Sequence, residues 1–173
     1  INMIANGDVD IIVGTQMISK GLDFPKVSLV GVINADESLN IPDFRSNERT
    51  FALLNQVSGR AGRSGIDSKV IIQTFNPYHY AITYAKKQDY DLFYEAEGNL
   101  RKMLKYPPFC DIISVNVSGE NEQTITNTIE ELYKDFKKHF ENQNINILPP
   151  MPCPIDKIKN KYRWRIIIKC IFD

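Results

Sequence analysis

The stretch Gln56-Val57-Ser58-Gly59-Arg60-Ala61-Gly62-Arg63 combines one amide and two guanidinium groups. On a helix running from Ser46 to about Arg63, spacings of four and three place Gln56, Arg60 and Arg63 on one face. Leu53, Leu54, Val57 and Ala61 fall on another face and are predicted to be buried. Gly59 and Gly62 would each cost such a helix about 1 kcal/mol relative to alanine. Glycine beside arginine predicts a guest that approaches the backbone closely. An anion suits the place, because the planar guanidinium fork matches phosphate oxygens. The alternative is a helix closed by glycine, with the arginines complementing its dipole.

Two other stretches imitate a nucleotide site. Gly14 to Gly21 has a glycine and a lysine near Walker spacing, but Ser19 stands where the glycine before Lys20 belongs. Gly21 occupies the position of the magnesium-binding hydroxyl. Val32-Ile33-Asn34-Ala35-Asp36-Glu37 resembles the acidic end of a Walker B strand. Without a phosphate cradle for that pair to serve, Asp36 and Glu37 are predicted to form a solvated strand-end turn. An autonomous ATP site is not expected.

The elements needed to position these groups follow from periodicity. Residues 1 to 7 read as a helix tail, Val9–Val13 as a buried parallel strand and Val27–Ile33 as a second strand. Asn34–Arg45 is predicted as loop, with a turn at Pro42-Asp43. Lys69–Phe75 is predicted as a third strand, Tyr78–Lys87 as a short helix and Asp89–Tyr106 as a longer one. In the longer helix Leu92, Phe93, Ala96, Leu100, Met103 and Leu104 are candidate packing residues. Strands alternating with helices in this order predict an α/β unit with a parallel sheet.

Pro107-Pro108 marks a boundary, giving units 1–105 and 106–173. The second reads as a small α+β module. Asp111–Ser118 alternates as a half-exposed strand, and Asn121–Asn142 carries an apolar stripe of Ile125, Ile129, Leu132, Tyr133, Phe136 and Phe140. Ile145–Leu148 is a short strand, followed by the proline-rich 149–154 segment and a strand from Lys161 to Phe172. In that last strand Lys161, Arg163, Arg165 and Lys169 point one way, with Ile167 among them, and Tyr162, Trp164, Ile166, Ile168, Cys170 and Phe172 the other. With Lys157 and Lys159, Lys161, Arg163 and Arg165 make a dense basic cluster. Such a cluster suits DNA phosphates, an acidic protein tail, or an edge strand kept soluble by its charge. Trp164 is expected in the core.

Composition narrows the class. Of 173 residues 43% are apolar and 24% charged, with 21 basic and 21 acidic side chains, so any anion-binding argument must rest on local clusters. The chain begins at Ile1 without a visible signal peptide or membrane span, and reads as part of something larger. Cys110, Cys153 and Cys170 lack a C-x-x-C pair, which suits reduced thiols; His79 and His139 have no ligand-like partners. No metal site is expected in the chain itself.

Taken together, the 14–25 stretch, Asn34-Ala35-Asp36, Pro42-Asp43-Phe44-Arg45, Glu48-Arg49-Thr50 and the 56–63 stretch resemble motifs V and VI of superfamily-2 helicases. Tyr106-Pro107-Pro108-Phe109, Pro150-Met151-Pro152-Cys153-Pro154 and Tyr162-Arg163-Trp164-Arg165 extend the resemblance. The whole chain is similar to the primosomal protein N′ (PriA) family, bacterial helicases that restart stalled replication forks.

The resemblance implies a fold: a partial second RecA-like helicase domain of the P-loop NTPase class, followed by an α+β C-terminal domain. It implies ATP and Mg²⁺ held with a first RecA-like domain, and a helicase that is active only as the intact protein. Arg63, and after it Arg60, would reach the γ-phosphate, with Gln56 coupling nucleotide to DNA. Asp23, with Gly21 beside it, matches the motif V residues facing the nucleotide. Gly14, Thr15 and Gln16 match the part that holds a single strand, assisted by Lys20. Lys161, Arg163 and Arg165 would serve forked DNA or partners such as single-strand-binding protein and other primosome proteins. Zinc belongs to a cysteine-rich insertion of the intact family member, the location implied is cytoplasmic, and no membrane is involved. A non-enzymatic DNA- or protein-docking module is the competing expectation.

Overall fold

The computed structural model describes residues 9–15, 27–59, 69–141 and 143–171. The chain divides into two units, Ile1–Glu97 and Gly98–Asp173, at a point within a helix.

In the first unit, β1 (Leu29–Val32) pairs in parallel with β2 (Lys69–Ile72), Leu29 opposite Lys69 and Val32 opposite Ile72. Between them lie a single-turn helix α1 (Asp36–Leu39) and α2 (Ser46–Ser58); α3 (Tyr80–Lys87) and α4 (Tyr90–Leu104) follow. The parallel sheet has two strands among the described residues, shorter than the predicted Val27–Ile33 and Lys69–Phe75. Val9–Val13 is not a strand: it has no ladder partner among the described residues, and Ile11 and Val13 are 79% and 84% exposed. A β-branched run becomes a strand only where an edge can pair with it and a layer can cover it. The predicted 34–45 loop contains α1, and the turn at Pro42-Asp43 is present.

Leu54, Phe51, Ala81, Ile82, Ala85 and Phe93 form the core, with Val32, Leu39, Ile72, Tyr80 and Tyr84 packed around it. Phe51 and Phe93 stack with centroids 4.0 Å apart. Of the packing residues predicted in α4, Phe93 is buried, whereas Leu92, Met103 and Leu104 are exposed. Glu97, on the same helix, is buried instead. Its carboxylate accepts the Tyr80 hydroxyl and, at 3.4 Å, the Asn47 side-chain amide, which also donates to Tyr80 at 2.7 Å. Helical periodicity marks a face, but a paired polar group can occupy it as well as an apolar one.

Helices α3 and α4 end without glycine. Gln88 and Lys105 take left-handed backbones (φ 55° and 52°). Asp89 N–H then reaches the Tyr84 carbonyl at 3.0 Å, and Tyr106 N–H the Arg101 carbonyl at 2.8 Å. Both closures satisfy carbonyls that the helix leaves free.

In the second unit, β3 (Cys110–Gly119), α5 (Glu122–His139), β4 (Ile145–Ile147), β5 (Met151–Ile158) and β6 (Lys161–Ile171) follow in order. The antiparallel sheet has β6 at its centre, flanked by β3 on one side and by β4 and β5 on the other. Asn121 caps α5, its side chain accepting from Thr124 N–H at 2.9 Å. The predicted stripe of α5 packs on Ile147, Ile166, Ile168, Val115, Val117 and Trp164, which places Trp164 in the core.

Strand β5 is an element that the sequence pattern hides, because Pro152 and Pro154 disfavour a ladder. The structure accommodates them: pairing with β6 lapses between Pro152 and Lys157 and resumes at the hairpin tip. There Lys159 and Asn160 both have positive φ (48° and 61°), as a two-residue primed turn requires.

Candidate functional site

Helix α2 carries the start of the glycine-arginine stretch. Asn47 is tied to α3 and α4 through Tyr80 and Glu97, and the Thr50 hydroxyl donates to the Ser46 carbonyl at 2.8 Å. Before the helix, Asp43 gathers two guanidinium groups. Arg45 binds it through Nε and Nη2 at 3.2 and 3.1 Å, and Arg49 Nη1 lies 3.1 Å away. The hydrogen bond from Arg45 holds the Asp43 carboxyl below the usual carboxylate range, against a smaller desolvation effect. This side-chain cluster, drawn from the 42–45 and 48–50 stretches that carry part of the resemblance, lies at the entry to α2.

The helix itself stops at Ser58, with Gly59 as its cap and the Gly59 N–H on the Asn55 carbonyl at 2.9 Å. The predicted continuation to Arg63 falls on residues outside the described ones. Gly59 has ordinary right-handed angles (φ −70°), so a positive φ is not what glycine supplies there. A Cβ would sit 3.3 Å from the Asn55 carbonyl oxygen, so space is tight. Leu54 and Val57 are buried as predicted, Leu53 is only half-buried, and Gln56, also half-buried, sits in the last turn. Arg60, Ala61, Gly62 and Arg63 lie outside the described residues, as do Gln16, Lys20, Gly21 and Asp23. Gly14 and Thr15 are exposed in irregular chain. Of the residues expected at the nucleotide, Gln56 alone is therefore placed, half-buried in the last turn of α2.

Of the acidic pair after β1, Glu37 is exposed as a solvated turn predicts, whereas Asp36 is held by hydrogen bonds. Asp36 opens α1, and its carboxylate accepts the Thr74 hydroxyl and the Phe75 N–H, each at 2.9 Å. Chiefly through the Phe75 N–H, these bonds hold the Asp36 carboxyl below its ordinary range. Asp36 thus joins the carboxyl ends of the two parallel strands. His79 is structural: its Nδ1 accepts the Ala81 N–H at 3.3 Å and caps α3. Burial lowers its pKa, opposed by the Glu97 and Asp36 carboxylates.

In the second unit the register adds what sequence alone could not. Arg163 lies opposite Ser118 and Arg165 opposite Asn116, on the sheet face away from α5. Arg163 Nη1 donates to the Ile155 carbonyl at 3.3 Å, and Lys161 is exposed at the hairpin tip. Arg165 Nε is enclosed without a hydrogen-bond partner among the described residues. Lys169 does not belong to the exposed basic face. It is 7% exposed, donates to the Leu104 carbonyl at 3.1 Å and lies over the Tyr106 ring. Arg163, Arg165, Ser118 and Asn116 therefore form a face of guanidinium, hydroxyl and amide groups suited to phosphate oxygens. Among the described residues no group of His, Cys, Asp and Glu could hold a metal, and no helix is long and apolar enough to cross a membrane.

Comparison with known proteins joins the two halves. Residues 1–65 match the helicase conserved C-terminal domain, and residues 102–171 match the primosomal protein N C-terminal domain. The chain is 48% identical over 163 residues to the replication restart protein PriA of Bacillus subtilis, covering 94% of this chain and 20% of that protein. It is 43% identical over 167 residues to replication restart protein PriA of Borreliella burgdorferi, covering 96% of this chain and 25% of that protein. With the Synechocystis protein of the same name the identity is 42% over 163 residues, 94% of this chain and 20% of the relative. The chain thus spans a fifth to a quarter of the length of these curated relatives. With both regions matched in order along one chain, it belongs to the PriA replication-restart family.

Proposed function

We propose that this chain supplies part of the second motor lobe and the C-terminal module of an ATP-dependent DNA helicase that restarts stalled replication forks. The observation that carries the reading is the similarity, over 94–96% of the chain, to proteins named for replication restart. ATP and Mg²⁺ are the cofactors, supplying a phosphoryl group whose developing charge needs positive partners. Gln56 at the end of α2 and the following Arg60 and Arg63 are this chain's contribution, with Asp23 and Gly21 on the nucleotide side. The arginines stabilise charge on the transferred phosphoryl oxygens, and Gln56 relays the state of that site to bound DNA. Because the sequence has no Walker phosphate loop of its own, the chain alone does not turn over ATP.

Gly14, Thr15, Gln16 and Lys20 hold the single-stranded track. Lys161, Arg163 and Arg165 bind the phosphates of forked DNA, and single-strand-binding protein and other primosome proteins are partners. The reading is tested by ATP-dependent unwinding of a forked duplex with the intact protein that contains this chain. Unwinding that requires hydrolysable ATP is expected. Fork binding with no ATP-dependent strand separation overturns the motor reading and leaves a docking module.

A further inference from the structure

The segment after β2 combines a fixed backbone with unburied rings. Gln73 N–H bonds the Val32 carbonyl at 2.8 Å, and Ala35 N–H bonds the Gln73 carbonyl at 3.1 Å. Asp36 then holds Thr74 and Phe75, Thr74 Oγ1 accepts the Asn76 N–H at 3.0 Å, and His79 N–H bonds the Asn76 carbonyl at 3.1 Å. Yet Phe75 is 95% exposed and Tyr78 92% exposed. Ring exposure on a floppy loop would mean little. On a backbone secured by this run of hydrogen bonds, it leaves two large apolar surfaces held ready in water.

At the carboxyl ends of β1 and β2, where parallel sheets commonly bind ligands, Ile33, Asn34, Asp36, Gln73, Thr74 and Phe75 line a cavity of about 270 Å³. Among the described residues no lysine or arginine lines it, and both oxygens of the ionised Asp36 already accept hydrogen bonds, a lining poorly suited to a phosphate. Two primary amides, Asn34 and Gln73, offer donors and acceptors beside an aromatic face. Flat rings with mixed donor and acceptor edges match that combination.

We propose that this cavity takes an unstacked base of single-stranded DNA, stacked on Phe75 with its edge toward Asn34 and Gln73, and that Tyr78 supports a neighbouring base. The inference rests on the DNA-binding reading above and adds a base-binding site to its phosphate-binding ones. Because the attraction is to bases, its share of affinity is nearly independent of salt, unlike that of the arginines on β6.

The test compares the chain with its Phe75→Ala/Tyr78→Ala variant by fluorescence anisotropy across a salt series. One probe is an oligothymidylate and the other an abasic strand of equal length. The nearly complete exposure of both rings leaves the core intact in the variant, which circular dichroism verifies. Binding of oligothymidylate is expected to weaken at least about fivefold, with an unchanged salt slope and no change on the abasic strand. Equal weakening on both strands, or none on either, overturns the base site; the latter assigns the rings to a protein surface. Failure of the unmodified chain to bind either strand overturns the DNA-binding reading along with it.

Discussion

Lys169 Nζ lies 3.7 Å from the centre of the Tyr106 ring while donating to the Leu104 carbonyl at 3.1 Å. The ammonium occupies the end of α4, where unpaired carbonyls and the helix dipole both favour a cation. A lysine drawn from an apparently exposed strand face thereby ties the segment following the helix to β6. Lys169→Met keeps the stem's packing and removes both interactions, with an expected loss of about 1–2 kcal/mol. Urea denaturation followed by Trp164 fluorescence measures it. A Tyr106→Leu cycle partner should show coupling of at least about 0.5 kcal/mol; additive effects would deny the interaction.

The Asn47–Tyr80–Glu97 group is the polar counterpart in the first unit. Removing one hydroxyl leaves a buried carboxylate and an amide without their shared partner. Tyr80→Phe is expected to cost about 1–3 kcal/mol, read from urea melts by far-ultraviolet circular dichroism. A melt superimposable on that of the unmodified chain would place Glu97 in water.

His79 predicts a pH dependence. Its folded pKa is depressed by burial, so the folded state binds a proton less readily than the unfolded chain. Stability is full above the ordinary histidine value of ~6.5 and falls as pH drops through it toward the lower folded value. Protonation also removes the Nδ1 acceptor from the Ala81 N–H. His79→Asn retains a capping acceptor without titrating and should flatten the first unit's stability between neutral and mildly acidic pH. A profile unchanged by that substitution would assign the slope to another group.

Arg163 and Arg165 predict a salt effect. Each phosphate left without its cation lowers the salt slope of duplex binding by about 0.9. Arg163→Ala/Arg165→Ala should therefore lower the slope by about 2 in anisotropy titrations with forked DNA. Weaker binding with an unchanged slope would mean the arginines act on the fold and not on phosphate.

The amphipathic helices and the alternating β3 and β6 are legible in sequence because their apolar residues repeat at the period of the element. Sequence periodicity also places Trp164 in the core. It cannot reveal β5, whose prolines lie along an interrupted ladder, or the unpaired state of Val9–Val13, which depends on a partner and not on propensity. Side chains with two uses escape it as well. Lys169 alternates with the basic residues yet is covered by Tyr106, and Asp36 resembles a solvated turn yet joins two strand ends. The glycine-arginine motif marks the region where α2 ends, at Ser58 with Gly59 as its cap. Which polar groups face Arg163 and Arg165 depends on strand register, a long-range property absent from the local pattern.

The most direct test of the motor assignment is steady-state, DNA-stimulated ATPase of the intact protein carrying Arg63→Ala, with single-strand affinity measured alongside. Loss of turnover by about 10³-fold or more with DNA binding retained is the expected result for a guanidinium acting on the transferred phosphoryl group. Unchanged ATPase would contradict the placement of this chain at the nucleotide.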